Sequence, residues 1–462
     1  VKQFGIIKMR KLTNNIIGMN IIIVVLFLIL AISLNAQVNR PNIVFILADD
    51  LGYGDLSVNG GTDVKTPNID KLFKSGVTFN NFYSNSTVCS PTRASLITGR
   101  YPDMVGAPGV IRGVKDQSWG YLCEDAITLP DVLNKAGYET ALIGKWHLGI
   151  ESPNTPNERG FKFFHGFLGG MMHDYYTHLQ HGNNYMRRNN SIVTAKGHAT
   201  DVFSDWAIEY IDDQKNRDSP FFMLLAYNAP HYPIQPPKEW YEKVKNREKD
   251  ISDKRAKNVA LVEHLDDGIG RVIKALEASG QYENTIIVFS SDNGGHLPSG
   301  ASNGNLRGGK IDMYEGGIKV PTCMVWNNKI KSNSALNMIG VTMDFYATLT
   351  YLAGIEINHE VDAINLIPDI GCKTIKKDDR TIYFVRRAGY NYSGFCYYAV
   401  RKGDYKLVQN SPFEEFQLFN VQEDPLETIP LDDNHKEFHN LRYQLSQHIR
   451  KAGAIPWQKK EK

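Results

Sequence analysis

The chain has 462 residues, more than one ordinary domain needs and enough to bury a large α/β core with a smaller appendage. Its 52 basic and 50 acidic side chains nearly cancel, and the formal net charge of +2 argues against nucleic-acid binding through bulk electrostatics. Five widely spaced cysteines, Cys89, Cys123, Cys323, Cys372 and Cys396, match neither a zinc site nor a dense disulfide framework, so no pairing is read from them.

The N-terminal segment has the pattern of a secretory signal. Arg10 and Lys11 supply the positive end, Ile21 to Ile32 is an unbroken apolar run, and Leu34-Asn35-Ala36 offers a small-residue cleavage site before Gln37. Met9, directly before the two cations, is a more natural start than Val1. An uncleaved anchor is the alternative, but the run is short for a span of about 20 residues. The expectation is a signal peptide over 1–36 and a secreted or periplasmic protein with no stable membrane span. An oxidising compartment would permit pairing among the four cysteines other than Cys89.

Ile43 to Ala48 is a short apolar run without alternation, the mark of a strand buried on both faces of a parallel sheet, and it runs directly into Asp49-Asp50. Cys89 then opens a stretch of helical character that closes at Gly99, with Pro91 and Arg93 early in it. A cysteine at a helix start sits in a positive local field that suits an anionic ligand or a thiolate. Thr140 to Ile143, a second short run, leads to Lys145 and His147. Gly149 to Gly197 is rich in Gly, Asn, His and Tyr with little periodicity, which predicts a long surface excursion of the kind that carries function. Helical patterns over Ala199 to Ile211 and Val259 to Ala278 bracket a third run, Phe221 to Tyr227, which leads to His231. The fourth, Ile286 to Phe289, continues through Ser291 into Asp292-Asn293.

This β-α alternation predicts a doubly wound α/β domain. Open α/β sheets bind ligands outside the carboxyl ends of their strands, so four strands deliver carboxylates, cations and imidazoles to one edge. Asp49, Asp50, Asp292 and Asn293 are all oxygen donors. Such ligands favour Ca²⁺ or Mg²⁺ over zinc, and a larger, flexible site favours Ca²⁺. After about Gly354 the texture changes. Tyr397 to Val400 and Tyr405 to Val408 flank a predicted turn at Lys402-Gly403-Asp404, Phe416 to Phe419 adds a strand, and a helix is predicted over Lys436 to Ala452 with Phe438, Leu441, Leu445 and Ile449 on one face. The expected division is 1–36, a catalytic domain over 37–355 and an α+β subdomain over 356–462.

The run Cys89-Ser90-Pro91-Thr92-Arg93-Ala94-Ser95-Leu96-Ile97-Thr98-Gly99 resembles the signature of type I sulfatases of the alkaline phosphatase superfamily, in which the cysteine of C-x-P-x-R is oxidised to formylglycine. Gly137 through His147 resembles the second sulfatase signature, and Pro41 through Gly52 the family's opening strand. Ser291-Asp292-Asn293-Gly294 and Gly308-Gly309-Lys310 match its later blocks. The similarity runs from Pro41 to Pro321, with a family-like tail near Arg401 to Glu427.

The resemblance implies an alkaline phosphatase-like fold: a large mixed, mostly parallel sheet sandwiched by helices, with a small C-terminal antiparallel sheet plus helix. It implies a Ca²⁺ ion on Asp49, Asp50, Asp292 and Asn293 together with residue 89. It also implies a formylglycine hydrate that attacks sulfur, with Asp292 or another metal-bound carboxylate taking the proton. Arg93 and Lys145 would hold the hydrate, His231 and Lys310 would assist the leaving oxygen, and His147 would remove a proton from the second hydroxyl to expel sulfate. The implied partners are a formylglycine-generating maturation enzyme and a sulfated polysaccharide or oligosaccharide of galactan or glycosaminoglycan type, as in secreted bacterial polysaccharide sulfatases. Candidates for contacts with the sugar are His173, Asp174, His296 and Arg307, then His181, Arg187, Arg188 and Asn303. Two other readings stay open on the sequence: a phosphodiesterase or phosphonate monoester hydrolase of the same superfold, and a non-catalytic sulfated-glycan-binding homologue.

Overall fold

The computed structural model describes residues 40–113, 117–367, 380–388 and 394–459. The signal-like segment and Cys372 lie outside them. In chain order the strands are β1 (Asn42–Ala48), β2 (Val77–Tyr83), β3 (Glu139–Lys145), β4 (Phe163–Phe167), β5 (Leu179–Gln180), β6 (Asn183–Asn184), β7 (Met186–Arg188) and β8 (Ser191–Ile192). They continue with β9 (Phe221–Ala226), β10 (Thr285–Ser291), β11 (Cys323–Trp326), β12 (Ser334–Val341), β13 (Thr381–Ala388), β14 (Phe395–Lys402), β15 (Tyr405–Gln409) and β16 (Gln417–Asn420).

Ten of them form one sheet in the order β12-β2-β11-β10-β1-β9-β3-β4-β7-β8. Its centre is parallel: β1 pairs with β10 and β9, and β3 with β9 and β4. The flanks mix directions, since β11 runs antiparallel to both β10 and β2, and β7 antiparallel to β4 and β8. Strand β1 shows why its run lacks polar alternation. Val44, Ile46 and Ala48 enter the core on one face, and Ile43, Phe45 and Leu47 enter the core on the other. The first face is covered by the helices Ala199–Gln214 and Asp253–Ala278, the second by Cys89–Thr98 and Asp344–Leu352.

The segment Gly149 to Gly197 is not wholly the surface excursion that its composition suggests. Strand β4 within it lies beside β3 in the sheet, with Phe164 and Phe167 fully buried, and β7 and β8 extend the sheet beyond it. Phe161, Phe164 and Phe167 are what bury this piece.

The second sheet is antiparallel, β13-β14-β15-β16. The helix Lys436–Ala452 sets Phe438, Leu441 and Leu445 against its Val400, Leu407 and Leu418. Ile449 leaves that face and is 36 % exposed; His448 is buried instead, bonded to Asp103 at 2.9 Å. Cys89, Cys123, Cys323 and Cys396 are unpaired thiols. No helix among the described residues is long and apolar enough to cross a membrane.

Candidate active site

Parallel strands ending together bring their following residues together. The Asp49 N–H donates to the Ala229 carbonyl (3.1 Å) and the Asp292 N–H to the Ala48 carbonyl (3.1 Å), so the ends of β1, β9 and β10 are stitched into one rim. Asp50 departs from that rim with φ 65°, and His147, after β3, has φ 63°. Left-handed backbone at such residues costs about 1–3 kcal/mol each and aims their side chains where an extended chain could not.

The helix Cys89–Thr98 approaches the same rim. Pro91 sits in its first turn, where a missing N–H costs nothing, and Gly99 closes it at φ 66° with its N–H on the Ser95 carbonyl. Arg93, one turn after Cys89, donates through Nε and Nη2 to Asp292 Oδ2 (3.0 and 2.8 Å) and through Nη1 to the Lys145 carbonyl (3.1 Å). Lys145 Nζ donates to Asp49 Oδ2 at 2.5 Å. Lys310 Nζ donates to Asp50 Oδ2 at 2.6 Å, and Asn293 Nδ2 to Asp50 Oδ1 at 2.8 Å. The Cys89 sulfur and one carboxylate oxygen each from Asp49 and Asp292 lie within 4.8 Å of one another.

Three cations are paired with the three carboxylates of this buried cluster, yet the carboxylates are not equivalent and not every oxygen is satisfied. Burial raises the pKa of Asp50, but Lys310 and His231, with hydrogen bonds from Lys310 and Asn293, outweigh it and hold the carboxyl well below its usual range. Asp292 moves the other way, because burial and the neighbouring Asp49 raise it more than Arg93 and Lys145 lower it. Asp49 Oδ1 and Asn293 Oδ1 are buried with no hydrogen-bond partner. Unpaired hard oxygens beside crowded carboxylates are the donor set of a divalent cation such as Ca²⁺ or Mg²⁺, so the residues present fit one.

Burial, ahead of the opposing pull of Lys145 and Lys310, pushes the Cys89 thiol up, with Asp49 and Asp292 raising it further. The thiolate suggested by its helix-start position is therefore not favoured. His231 Nδ1 donates to the Tyr232 carbonyl (2.6 Å), which turns Nε2 toward Asp50 Oδ2 at 3.6 Å; burial and then Lys310 lower its pKa to about 3. His147 is likewise held neutral by burial and by Lys145, Arg93 and His231, and its Nδ1 is buried without a partner.

A family model described as Sulfatase matches residues 41–355. The chain belongs to the sulfatase family. It is a type I sulfatase and a sulfuric ester hydrolase. A second model, N-sulphoglucosamine sulphohydrolase, C-terminal, matches residues 309–454. The N-acetylgalactosamine-6-sulfatase of Mus musculus is 30% identical over 404 residues, covering 81% of this chain and 74% of its own. A sulfatase of Formosa agariphila is 30% identical over 468 residues, covering 85% and 84%. Among solved structures, Ps i-CgsB in complex with k-i-k-neocarrahexaose superposes with a TM-score of 0.82 at 32% identity, covering 91% of this chain and 95% of that one. The large mixed sheet with its small antiparallel companion is the alkaline phosphatase-like fold of these enzymes.

In this sulfatase the cluster opens into a cavity of about 710 Å³ lined by Cys89, His147, His231 and Lys310. Of the residues considered for the sugar, His181 lines it too. His173 stands just behind, its Nδ1 accepting the His181 N–H (2.8 Å). Asp174 instead shapes its own loop, accepting from the Tyr176 and Thr177 N–H groups and from Gln235. His296 is bonded to the Ser299 hydroxyl at 2.5 Å, and Asn303 ties Gly295 to Gly308. Arg307 stacks on Tyr314 (3.7 Å) and donates to the Glu427 carbonyl; Arg188 lies over Phe163, and Arg187 donates to the Asn184 and Met186 carbonyls. None of these seven is among the described residues that line the cavity. Its wall includes Arg112, Gln180, Arg386 and Arg387, which no motif in the sequence marks. The adjacent arginines at 386 and 387 were visible, but nothing local connects that pair to a site built around Cys89.

Proposed function

We propose that this sulfatase removes sulfate esters from a sulfated poly- or oligosaccharide of galactan or glycosaminoglycan type, using Ca²⁺ and a formylglycine made from Cys89. The observation that carries the reading is the juxtaposition of Cys89 with Asp49 and Asp292 at the head of a cavity whose described lining residues are otherwise cationic, imidazole or neutral. The carbohydrate part draws on the relatives: an N-acetylgalactosamine-6-sulfatase and a structure bound to a neocarrahexaose.

Asp49, Asp50, Asp292, Asn293 and residue 89 would hold the ion, which would supply positive charge to the sulfate oxygens. Formylglycine at residue 89 would supply a nucleophilic hydroxyl and a second, ionisable one. Arg93 and Lys145 fix the position of residue 89 and balance the carboxylates. His147, kept neutral, is able to accept a proton at the nucleophile. Lys310 and His231 stand together on Asp50, facing the cavity, where a leaving oxygen gains a positive neighbour and a proton path. Groups of this kind typically contribute roughly 10²–10⁴-fold each in rate.

The proposal extends to a partner and a location: a formylglycine-generating enzyme matures the chain, and removal of residues 1–36 delivers it to the periplasm or the medium. Residues 37–355 form the catalytic domain in this reading and 356–462 a subdomain that closes it. The test is protein co-expressed with a maturation enzyme, checked by intact mass for conversion of Cys89. It is then offered defined sulfated galactan and glycosaminoglycan oligosaccharides, with released sulfate as the readout. Release from at least one class, lost in Cys89→Ala and on chelation, is expected. Fully converted protein that releases sulfate from 4-nitrophenyl sulfate but from no saccharide would defeat the substrate class.

A further inference from the structure

Ile311 holds a backbone conformation that its side chain disfavours. The Asp312 N–H donates to the Gly309 carbonyl (2.9 Å), closing a turn over Gly309-Lys310-Ile311-Asp312 in which Ile311 takes the third position at φ 80°. A positive φ at that position is ordinarily supplied by Gly or Asn. For a β-branched side chain it is a genuine outlier, crowded against its own backbone. The turn is fixed from both sides. The Ile311 N–H donates to the Thr87 carbonyl (3.0 Å), two residues before Cys89, and the Ile311 carbonyl accepts Arg386 Nη1 (2.5 Å). The Lys310 N–H is bound as well, to the Gly295 carbonyl (2.9 Å). These bonds explain why the backbone adopts the turn, but they would serve a glycine equally well. Packing does not account for the side chain either. Ile311 is 36 % exposed and joins none of the apolar cores formed by the described residues. It lines the cavity instead, in the company of Lys310, Cys89, His147 and His231. Strain kept without a structural gain is found where function uses it.

We propose that Ile311 is a specificity-determining residue, whose side chain packs on the apolar face of the organic group that leaves with the ester oxygen. A sulfate group has no apolar surface, so an isoleucine beside Lys310 can serve only the rest of the substrate. On a pyranose it covers ring C–H groups, and on an aryl ester the ring itself. The proposal rests on the reading that sulfate is removed at the Cys89 end of this cavity, and on no particular sugar.

The test uses converted enzyme with Ca²⁺ in excess, 4-nitrophenyl sulfate as substrate, and sodium sulfate as competing inhibitor at constant ionic strength. Inorganic sulfate reads the sulfate-binding end alone, whereas the ester adds an organic group for Ile311 to touch. Ile311→Gly removes the side chain together with its strain. Ile311→Asn tolerates the left-handed backbone and presents a polar tip. Each should raise KM for the ester about tenfold, the effect of no longer covering the open part of an isoleucine and a matching patch of ligand. The inhibition constant of sodium sulfate should stay within about twofold of wild type. The urea midpoint should hold or rise, since strain is relieved and none of the described cores loses a member. A KM within about twofold of wild type in either variant overturns the contact. So does an inhibition constant that rises in step with KM, or a lowered urea midpoint, either of which would make Ile311 a structural residue. Converted wild-type enzyme that hydrolyses no sulfate ester at all overturns the reading of the site itself, and this contact with it.

Discussion

Arg93 places two donors, Nε and Nη2, on the single oxygen Oδ2 of Asp292, at 3.0 and 2.8 Å. Through this contact the helix that begins at Cys89 is pinned to the end of β10, so the distance between residue 89 and the carboxylates is set by a buried ion pair. Removing one partner of such a pair strands the other, at a cost of about 3–5 kcal/mol. Arg93→Ala should lose about that much stability in urea unfolding and all but a trace of aryl sulfatase activity. Arg93→Lys keeps the charge but cannot reach Asp292 and the Lys145 carbonyl together. Its kcat/KM should fall by roughly 10²-fold or more; a lysine variant with most of the wild-type value would contradict this role.

Gly170 touches the ring of His147. A Cβ built at position 170 would stand 2.1 Å from Nε2 of that histidine, with the other ring atoms close behind. The obstructed group is the far end of a side chain, so Gly170→Ala should fold, with a change in unfolding free energy of no more than about 1 kcal/mol. The ring must turn away, and displacement of a reacting group by about 1 Å costs on the order of 10²-fold in turnover. The expected signature is a fall in kcat with KM and thermal midpoint little changed. Unaltered kcat would show that His147 is not needed where the structure places it.

What the sequence disclosed and what it hid divide along a physical line. Asp49, Lys145, His231 and Asp292 each follow an apolar run by a few residues, and parallel strands end in register, so their convergence could be inferred from local pattern alone. The helix ending at Gly99 and the one over Lys436 to Ala452 were legible for the same reason. Val77 to Tyr83 was not, because Asn80 and Asn81 interrupt its apolar residues where the strand runs beside β12. Arg386 and Arg387 were hidden differently. Their strand pairs with β14, and they reach the cavity only because Arg387 bridges Gly109, a contact between segments that no local pattern connects. Asp174 and Arg307 read as substrate contacts because they are polar residues in irregular segments; in the fold Asp174 accepts bonds from its own loop and Arg307 stacks on Tyr314.

The two sheets are coupled by a buried cation. Lys406, on β15, is wholly inaccessible, with Nζ 3.0 Å from Glu315 Oε1 and 2.8 Å from Glu427 Oε1. Glu315 opens a short turn just after the Lys310 segment, and Glu427 also accepts its N–H at 2.6 Å. Burial raises the pKa of Glu427, Lys406 lowers it and Glu315 raises it again; the lysine bridges the two carboxylates, while Arg401 and the Tyr83 hydroxyl support Glu315 from its other oxygen. Lys406→Met should destabilise the protein by about 3–5 kcal/mol in urea. Adding Glu427→Gln should recover part of that loss, because one of the stranded charges is gone. A double variant no more stable than Lys406→Met would argue against a shared network.

His165, on β4, stacks against Trp206 with ring centroids 3.4 Å apart. Burial, with a smaller push from Arg188, lowers its pKa from 6.5 to about 4. Above the unfolded value both states are neutral, so the full stability is present there. As the pH falls below about 6.5 the unfolded chain takes up a proton that the folded chain refuses, and stability drains away until the folded site titrates near 4. The wild-type urea midpoint should therefore decline between about pH 7.5 and about pH 5, and His165→Gln should decline less over the same interval. His147, His198 and His231 are also held low by burial, so the variant keeps part of the slope. Equal slopes in the two proteins would mean that His165 is protonated as readily in the fold as in water.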